Sequence, residues 1–300
     1  MSARGSPPVR ASSSAIWLVL VTATLFSTGG AAVKATALGA WQVAGGRSAI
    51  AAIALFLLLP DGRRWWRPRN LLVGVAYAAT LVTFVHANKL TTAASTIFLQ
   101  ATAPLYLMVL GPLVLKEPLR RRDLQAGPLF VLGLALFFVG LETPSETAPN
   151  PALGNLIAGL SGVCYAVTIL GLRWIGRRRR SAEDLRPESS LGAVVAGNVI
   201  AAVTCLPAAW PLEPAPVDLV VLGYLGLFQI GLAYLLLTRA VSELPALQVS
   251  LLLLLEPVLS PVWAALFLGE VPGRLALVGG SLVLVATVVQ AWRRERVRAG

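Results

Sequence analysis

The sequence has little of the chemistry that enzymes and metal sites use. Its 300 residues include one histidine, His86, and two cysteines, and only 13% of the residues are charged. Metal sites and nucleophile–base pairs need clusters of His, Cys, Asp or Glu. Cys164 and Cys205 both fall inside apolar runs, which argues against an extracellular disulfide framework. No phosphate-binding GxxxxGK loop is present, so direct use of ATP is not expected. We therefore expect no enzymatic activity, no metal and no cofactor.

Long apolar runs dominate the chain instead, because 56% of its residues are hydrophobic. A run of about 20 apolar residues is long enough to cross a lipid bilayer as a helix. The sequence therefore predicts an all-α membrane protein with ten transmembrane helices, at Ile16–Val33, Leu38–Leu59, Leu71–Asn88, Ala94–Leu115, Leu124–Leu141, Leu153–Ile175, Leu191–Trp210, Leu219–Thr238, Ala246–Leu268 and Leu275–Trp292.

The basic residues predict the orientation of these helices. The net charge is +11, which in a soluble protein would favour nucleic acid, but here the Lys and Arg residues cluster between apolar runs. If both termini are cytoplasmic, all 25 Lys and Arg residues lie on the cytoplasmic side except Lys34, Arg47, Lys89 and Arg274. Cytoplasmic loops carry such an excess of positive charge. We therefore expect both termini in the cytoplasm, a lipid partner and no nucleic-acid partner.

The chain contains two copies of one pattern. Pro257 and Glu270 lie 153 residues after Pro104 and Glu117, and in each apolar run the acid follows the proline by thirteen residues. A different shift, of 139 residues, aligns the first span with the sixth, so the first span is expected to be a retained helix and not a cleaved signal peptide. Five spans per copy is an odd number, so the second copy enters the membrane from the opposite side. Such inverted repeats are typical of secondary transporters.

Two segments carry a resemblance to a known family. The fourth span reads TTAASTIFLQATAPLYLMVLGPLVLKEPL and the ninth reads EPVLSPVWAALFLGE. They resemble the two EamA repeats of the drug/metabolite transporter superfamily. The resemblance implies two inverted five-helix repeats around a central substrate cavity, with the fifth and tenth helices peripheral and often at a dimer contact. The expected division is a cytoplasmic lead at 1–15, a first repeat at 16–141, an external linker at 142–152, a second repeat at 153–292 and a basic cytoplasmic tail at 293–300.

By this resemblance the protein is a multi-pass carrier of the cell inner membrane. The expected function is export of small metabolites, amino acids or related amphiphiles, by alternating access. Protons and a second copy of the chain are further candidate partners. The alternatives are an uncoupled facilitator, or a drug or nucleotide-sugar-type exchanger of the same fold. A membrane protein that transports nothing, or an intramembrane enzyme, explains the matching prolines less well.

Pro104 and Pro257 predict a break in the middle of two helices. Proline lacks an N–H and crowds the preceding turn, so the carbonyl of Leu253 is expected to lose its helical partner. Broken helices at corresponding positions of two repeats point to a binding site. The alternative is that both prolines only bend helices to close the bundle.

Glu256 is the one carboxylate predicted deep in the membrane, where an unpaired charge is costly. We expect it to face inward. Helical spacing places Glu256, Ser260, Trp263 and Phe267 on one face, which could hold an amine or a proton. The alternative is a structural role, in which a protonated Glu256 donates to backbone freed by Pro257.

Arg47, in the second span, is a candidate for binding a substrate carboxylate or for pairing with Glu256. The alternative is that its side chain only reaches the membrane surface or forms a hydrogen bond with a neighbouring helix. His86 and Lys89, at the outer end of the third span, are candidate gating residues. Neutral polar side chains predicted to complete the cavity are Thr22, Tyr77, Gln100, Tyr106, Tyr165, Thr168, Asn198, Gln229 and Tyr234. Small residues that recur every fourth position, including Gly154 and Gly162, predict close helix contacts.

Overall fold

The computed structural model describes residues 13–116, 127–139, 144–178, 189–270, 273–282 and 284–285, and its regular structure there is helical. In chain order the helices are α1 (Ser13–Lys34), α2 (Ala40–Leu58), α3 (Pro68–Leu90), α4 (Ala93–Leu115), α5 (Gly127–Val139), α6 (Pro151–Gly176), α7 (Ser190–Ala209), α8 (Pro216–Glu243), α9 (Ala246–Leu268) and α10 (274–282).

Eight of these helices are long and apolar enough to cross a membrane, namely all except α5 and α10. This confirms an all-α membrane protein. The described parts of α5 and α10 fall within the predicted fifth and tenth spans, and the remainder of both spans lies outside the described residues. The predicted N-terminal lead lies mostly outside them as well, as does the basic tail.

The helices α4 and α9 are each broken once, a few residues before the proline. The two parts of α4 are Ala93–Gln100 and Ala103–Leu115. In α9 the corresponding parts are Ala246–Leu252 and Leu255–Leu268. The carbonyl of Leu253 was expected to lose its partner, but it accepts a hydrogen bond of 2.9 Å from the backbone N–H of Glu256. A bond to the third residue thus replaces the one that Pro257 cannot donate.

The helix α8 contains a wider turn that the sequence pattern did not predict. Residues Leu225–Leu232 form a π-helix between two α-helical parts. Gly226 lies in this segment, and a Cβ added there would come within 2.9 Å of the carbonyl oxygen of Arg47. The absence of a side chain at Gly226 therefore lets α8 approach α2 closely. Single π turns inside helices are frequent at functional sites.

Each half of the chain packs its first helix against the third and fourth helices of the other half. Thus α6 lies along α3 and α4, while α1 lies along α8 and α9. The contacts depend on small residues, as expected for helices in lipid. A Cβ on Gly154 would lie 2.7 Å from the backbone nitrogen of Thr91, and one on Gly162 would lie 2.9 Å from the carbonyl of Leu99. The predicted close contacts at these two glycines are confirmed.

Candidate functional site

A cavity of about 30 Å³ lies in the middle of the bundle, where helices from both halves meet. Its lining side chains come from α1 to α4 in the first half and from α6, α8 and α9 in the second. They are Phe26, Arg47, Thr80, Leu81, Phe84, Gln100, Tyr165, Gln229, Ile230, Tyr234 and Glu256. This volume accommodates about two water molecules. The site is therefore closed around a small polar centre.

Arg47 provides the positive charge of this cavity and is only 1% exposed. One guanidinium nitrogen, Nη2, donates to the carbonyl of Leu81 over 3.0 Å, and Nη1 donates to Oε1 of Gln229 over 3.4 Å. The guanidinium also lies 5.6 Å from the centre of the Phe84 ring. Neutral dipoles and a ring face hold the cation in place without cancelling its charge. The side chain reaches inward and not to the membrane surface.

Glu256 provides the negative charge, at 6% exposure, from the first turn after the break in α9. Within the described part of the chain, Arg47 and Glu256 line one cavity but form no ion pair with each other. A buried charge without a partner is costly in a membrane. A ligand that carries both an anionic and a cationic group would neutralise both ends of the cavity.

Aromatic rings and hydroxyl groups form the wall between the two charges. The ring centre of Tyr234 lies 5.0 Å from that of Phe26 and 4.4 Å from that of Tyr77. Gln100 donates to the hydroxyl of Ser161 over 2.8 Å, which joins α4 to α6. Such a wall offers a ligand apolar contact on several sides with a few fixed polar groups.

Five of the ten residues predicted to bind substrate line the cavity: Arg47, Gln100, Tyr165, Gln229 and Glu256. The other five lie elsewhere. Tyr77 is fully buried behind Tyr234, and Asn198 is buried in α7, where its amide donates to the carbonyl of Val194. Tyr106 is half-buried on α4.

The predicted binding face of α9 is shorter than expected. Ser260 is completely buried but does not line the cavity. Trp263 donates from Nε1 to the hydroxyl of Ser27 over 2.9 Å, so it ties α9 to α1. Phe267 is 72% exposed, and its inclusion in an inward face is therefore wrong. Of this face, only Glu256 reaches the cavity.

Sequence reasoning did not single out several lining residues. Phe26, Leu81, Phe84 and Ile230 are apolar and carry no sequence signal that separates them from packing residues. Thr80 hydrogen-bonds Thr168 over 3.1 Å, and a hydroxyl in the middle of α3 was the available signal for it.

At the predicted outer end of the bundle, polar contacts join the two halves. Lys34 of α1 pairs with Oε1 of Glu270 at 2.7 Å and also donates to the carbonyl of Thr147. The other oxygen, Oε2, accepts from the backbone N–H of Ala93 over 3.0 Å. The end of α9 is thus fixed to the start of α4 and to α1.

The two candidate gating residues lie at this end too. Lys89 donates to the carbonyl of Thr36 over 2.9 Å, which holds α3 to the segment after α1. Nδ1 of His86 lies 2.8 Å from the carbonyl of Val82, and the His86 ring packs edge-on against Trp41 at 4.4 Å. Both side chains therefore take part in the contacts at the predicted outer end.

A larger cavity, of about 710 Å³, lies at the predicted cytoplasmic end. Its lining includes Leu18 and Leu235 as well as Asp61, Arg239 and Glu243 near helix ends. Within the described residues, no three His, Cys, Asp or Glu side chains are grouped closely enough to hold a metal ion.

The comparisons with known proteins agree with this geometry. A pseudopaline exporter of Pseudomonas aeruginosa is 27% identical over 285 residues, which cover 92% of this chain and 95% of the exporter. A protein of known crystal structure superimposes with a TM-score of 0.68 at 17% identity, covering 95% of this chain and 99% of that one, and so shows a shared fold. The EamA-like transporter family matches residues 13–139 and again residues 152–291. With two such matches spanning most of its length, the chain belongs to the EamA-like transporter family.

Proposed function

We propose that this protein is a secondary transporter of the inner membrane that exports small zwitterionic metabolites, amino acids or related amphiphiles. Its ten helices form two inverted five-helix repeats with both termini in the cytoplasm. The two halves move around the central cavity and open it alternately to the two sides of the membrane.

The observation that carries this proposal is the pair of opposite charges in one cavity. Arg47 and Glu256 come from different halves of the chain and are not paired with each other. In the proposed complex the guanidinium binds the substrate carboxylate, and the Glu256 carboxylate binds the substrate amine. Each charge then has a partner, which offsets the cost of burying it.

Alternating access is supported by the difference between the two ends of the bundle. The contacts of Lys34, Glu270 and Ala93 tie the two halves together at the predicted outer end, whereas the larger cavity lies at the other end. The central site has room for about two water molecules, so it has to widen before a metabolite enters. The name of the pseudopaline exporter supports export as the direction.

Ligand binding tests the proposed substrate class. Purified protein is screened by thermal shift against amino acids, against the matching amines without a carboxylate, and against nucleosides, sugars and cationic drugs. We expect stabilisation by particular amino acids and little by their amines. Arg47→Gln should lower the affinity for the amino acid by at least about tenfold, equal to ~1.4 kcal/mol, because one charged partner is lost. Val262→Leu, on the exposed face of α9, is the control that should bind normally.

A response to cationic drugs or nucleosides alone, or an unchanged affinity in Arg47→Gln, would contradict the zwitterion proposal. The principal alternative is an uncoupled facilitator of the same fold. Reconstitution into liposomes separates the two, because only a coupled carrier accumulates substrate above equilibrium when an ion gradient is imposed. If Glu256 carries a coupling proton, Glu256→Gln should abolish accumulation driven by pH and leave exchange of substrate for substrate measurable.

A further inference from the structure

A second, smaller cavity lies directly beside the central one, at the place where the two broken helices meet. Its volume is about 10 Å³, which is room for one water molecule or one monatomic ion. The breaks of both helices contribute to its lining, with Ala101, Ala103 and Pro104 from α4 and Leu253, Leu254 and Pro257 from α9. In this conformation its size matches a single small ion and not a metabolite.

The polar lining of the small cavity consists of side-chain groups with oxygen atoms: Gln100, Tyr165, Ser250 and Glu256. Ser250 is 3% exposed and Tyr165 is 6% exposed. Within the described residues, neither the hydroxyl of Ser250 nor that of Tyr165 has a hydrogen-bond partner. Leaving a buried hydroxyl unsatisfied costs about 1–3 kcal/mol. Two such groups in one small polar cavity indicate that something binds between them.

The oxygen atoms favour a small, hard, monovalent cation. Hydroxyl, amide and carboxylate oxygens are the ligands that hard cations prefer. Only one of the lining side chains carries a formal charge, so a monovalent ion gives a neutral site, whereas a divalent ion would leave an excess positive charge in the membrane. Broken helices near the middle of a membrane also place backbone carbonyls where ions bind in transporters.

We propose that this small cavity binds Na⁺, with the Glu256 carboxylate and the hydroxyl oxygens of Ser250 and Tyr165 as ligands. Glu256 lines both cavities, as do Gln100 and Tyr165. A cation in the small cavity and a substrate amine in the central one compete for the same carboxylate. This competition couples the two binding events, a consequence that rests on the proposed transport function, while Na⁺ binding itself does not. A proton on Glu256 would need neither a cavity nor the two hydroxyls.

The test compares thermal unfolding of the purified full-length protein in NaCl and in choline chloride, at one pH and one ionic strength and without substrate. A ligand that binds only the folded state raises the unfolding temperature with concentration. We expect Na⁺ to stabilise the wild-type protein. Ser250→Ala should raise the apparent Kd for Na⁺ by at least about tenfold, and Glu256→Gln should abolish the response. Ser260→Ala is the matched control, because Ser260 is an equally buried hydroxyl on α9 that lines neither cavity.

Equal stability in NaCl and choline chloride would overturn the proposal. So would equal losses in Ser250→Ala and Ser260→Ala, or a Na⁺ response that depends on Glu256 but on neither hydroxyl, which would place the ion outside this small cavity. If Ser250→Ala does not fold, equilibrium binding of radioactive Na⁺ to the wild type and to Tyr165→Phe gives the same answer, with weaker binding expected in the variant. Na⁺ binding without any substrate transport would contradict the proposed function and leave this site standing.

Discussion

In α4 the break falls between Gln100 and Ala103, and in α9 it falls between Leu252 and Leu255. A proline follows each break closely, because Pro104 is the second residue of the part after the break in α4 and Pro257 is the third in α9, so the two copies share a similar backbone shape. They differ in charge, because Ala103 occupies the position in α4 that Glu256 occupies in α9. Both residues line the same small cavity. The duplication has thus kept the geometry of the broken helix, while the chemistry has become specific to one copy.

Placing a carboxylate in both copies should produce the largest loss of stability among these variants. In Ala103→Glu, two acidic side chains would occupy a cavity of about 10 Å³. We expect a loss of about 3–5 kcal/mol in the free energy of unfolding, as for an uncompensated buried charge. Ala103→Gln adds nearly the same volume without the charge and should cost less. Thermal unfolding in detergent measures both variants.

The double variant Ala103→Glu with Glu256→Gln separates charge from volume. It restores a single carboxylate to the cavity, so part of the lost stability should return. If the double variant is as unstable as Ala103→Glu alone, crowding explains the loss and the electrostatic comparison of the two copies fails.

The positions of the two breaks were predictable from the sequence, because proline has a local effect on its own helix. The two cavity charges, Arg47 and Glu256, could also be named in advance, since a charge inside a membrane span is rare and costly. Both predictions need only the properties of one residue and its depth in the membrane.

The rest of the site depends on how helices are rotated against each other, and spacing along one helix does not give this. Helical periodicity placed Phe267 on the same face of α9 as Glu256, yet the Phe267 ring is exposed. At this end of α9 the contact with α1 is made by Trp263, which donates to Ser27, and Phe267 lies outside that contact. Tyr77 and Tyr234 looked equivalent in the sequence, but only Tyr234 reaches the cavity. The π-helix at Leu225–Leu232, which contains Gly226 and lies beside α2, likewise had no local signal.

Replacing Pro257 and Pro104 one at a time tests whether the two broken helices contribute differently to the transport rate. Pro257→Ala restores an N–H that can bond to the Leu253 carbonyl, in competition with the N–H of Glu256. Straightening α9 would displace Glu256, so we expect the transport rate to fall about tenfold, equal to ~1.4 kcal/mol. Pro104→Ala should lower it less, because no charged group follows the break in α4.

Substrate exchange in proteoliposomes measures these rates, and thermal unfolding controls for misfolding. Equal losses in the two proline variants would mean that helix shape alone, without the position of the carboxylate, sets the rate.

The ends of α4 and α9 offer the smallest and most local comparison. Each helix ends in a residue with a left-handed backbone, Lys116 with φ of 53° and Gly269 with φ of 65°. Glycine adopts this conformation without strain, whereas a residue with a Cβ does not. We expect Lys116→Gly to raise the free energy of unfolding by about 1 kcal/mol, and Gly269→Ala to lower it by about 1 kcal/mol. Among the described residues beyond its neighbours in the chain, no atom lies within 4 Å of a Cβ added at Gly269, so the expected cost is one of backbone conformation. Lys116→Ala removes the charge but keeps the Cβ, so it should show no gain. A gain in Lys116→Ala equal to that in Lys116→Gly would assign the effect to the loss of the charge, and the two helix ends would then no longer be comparable.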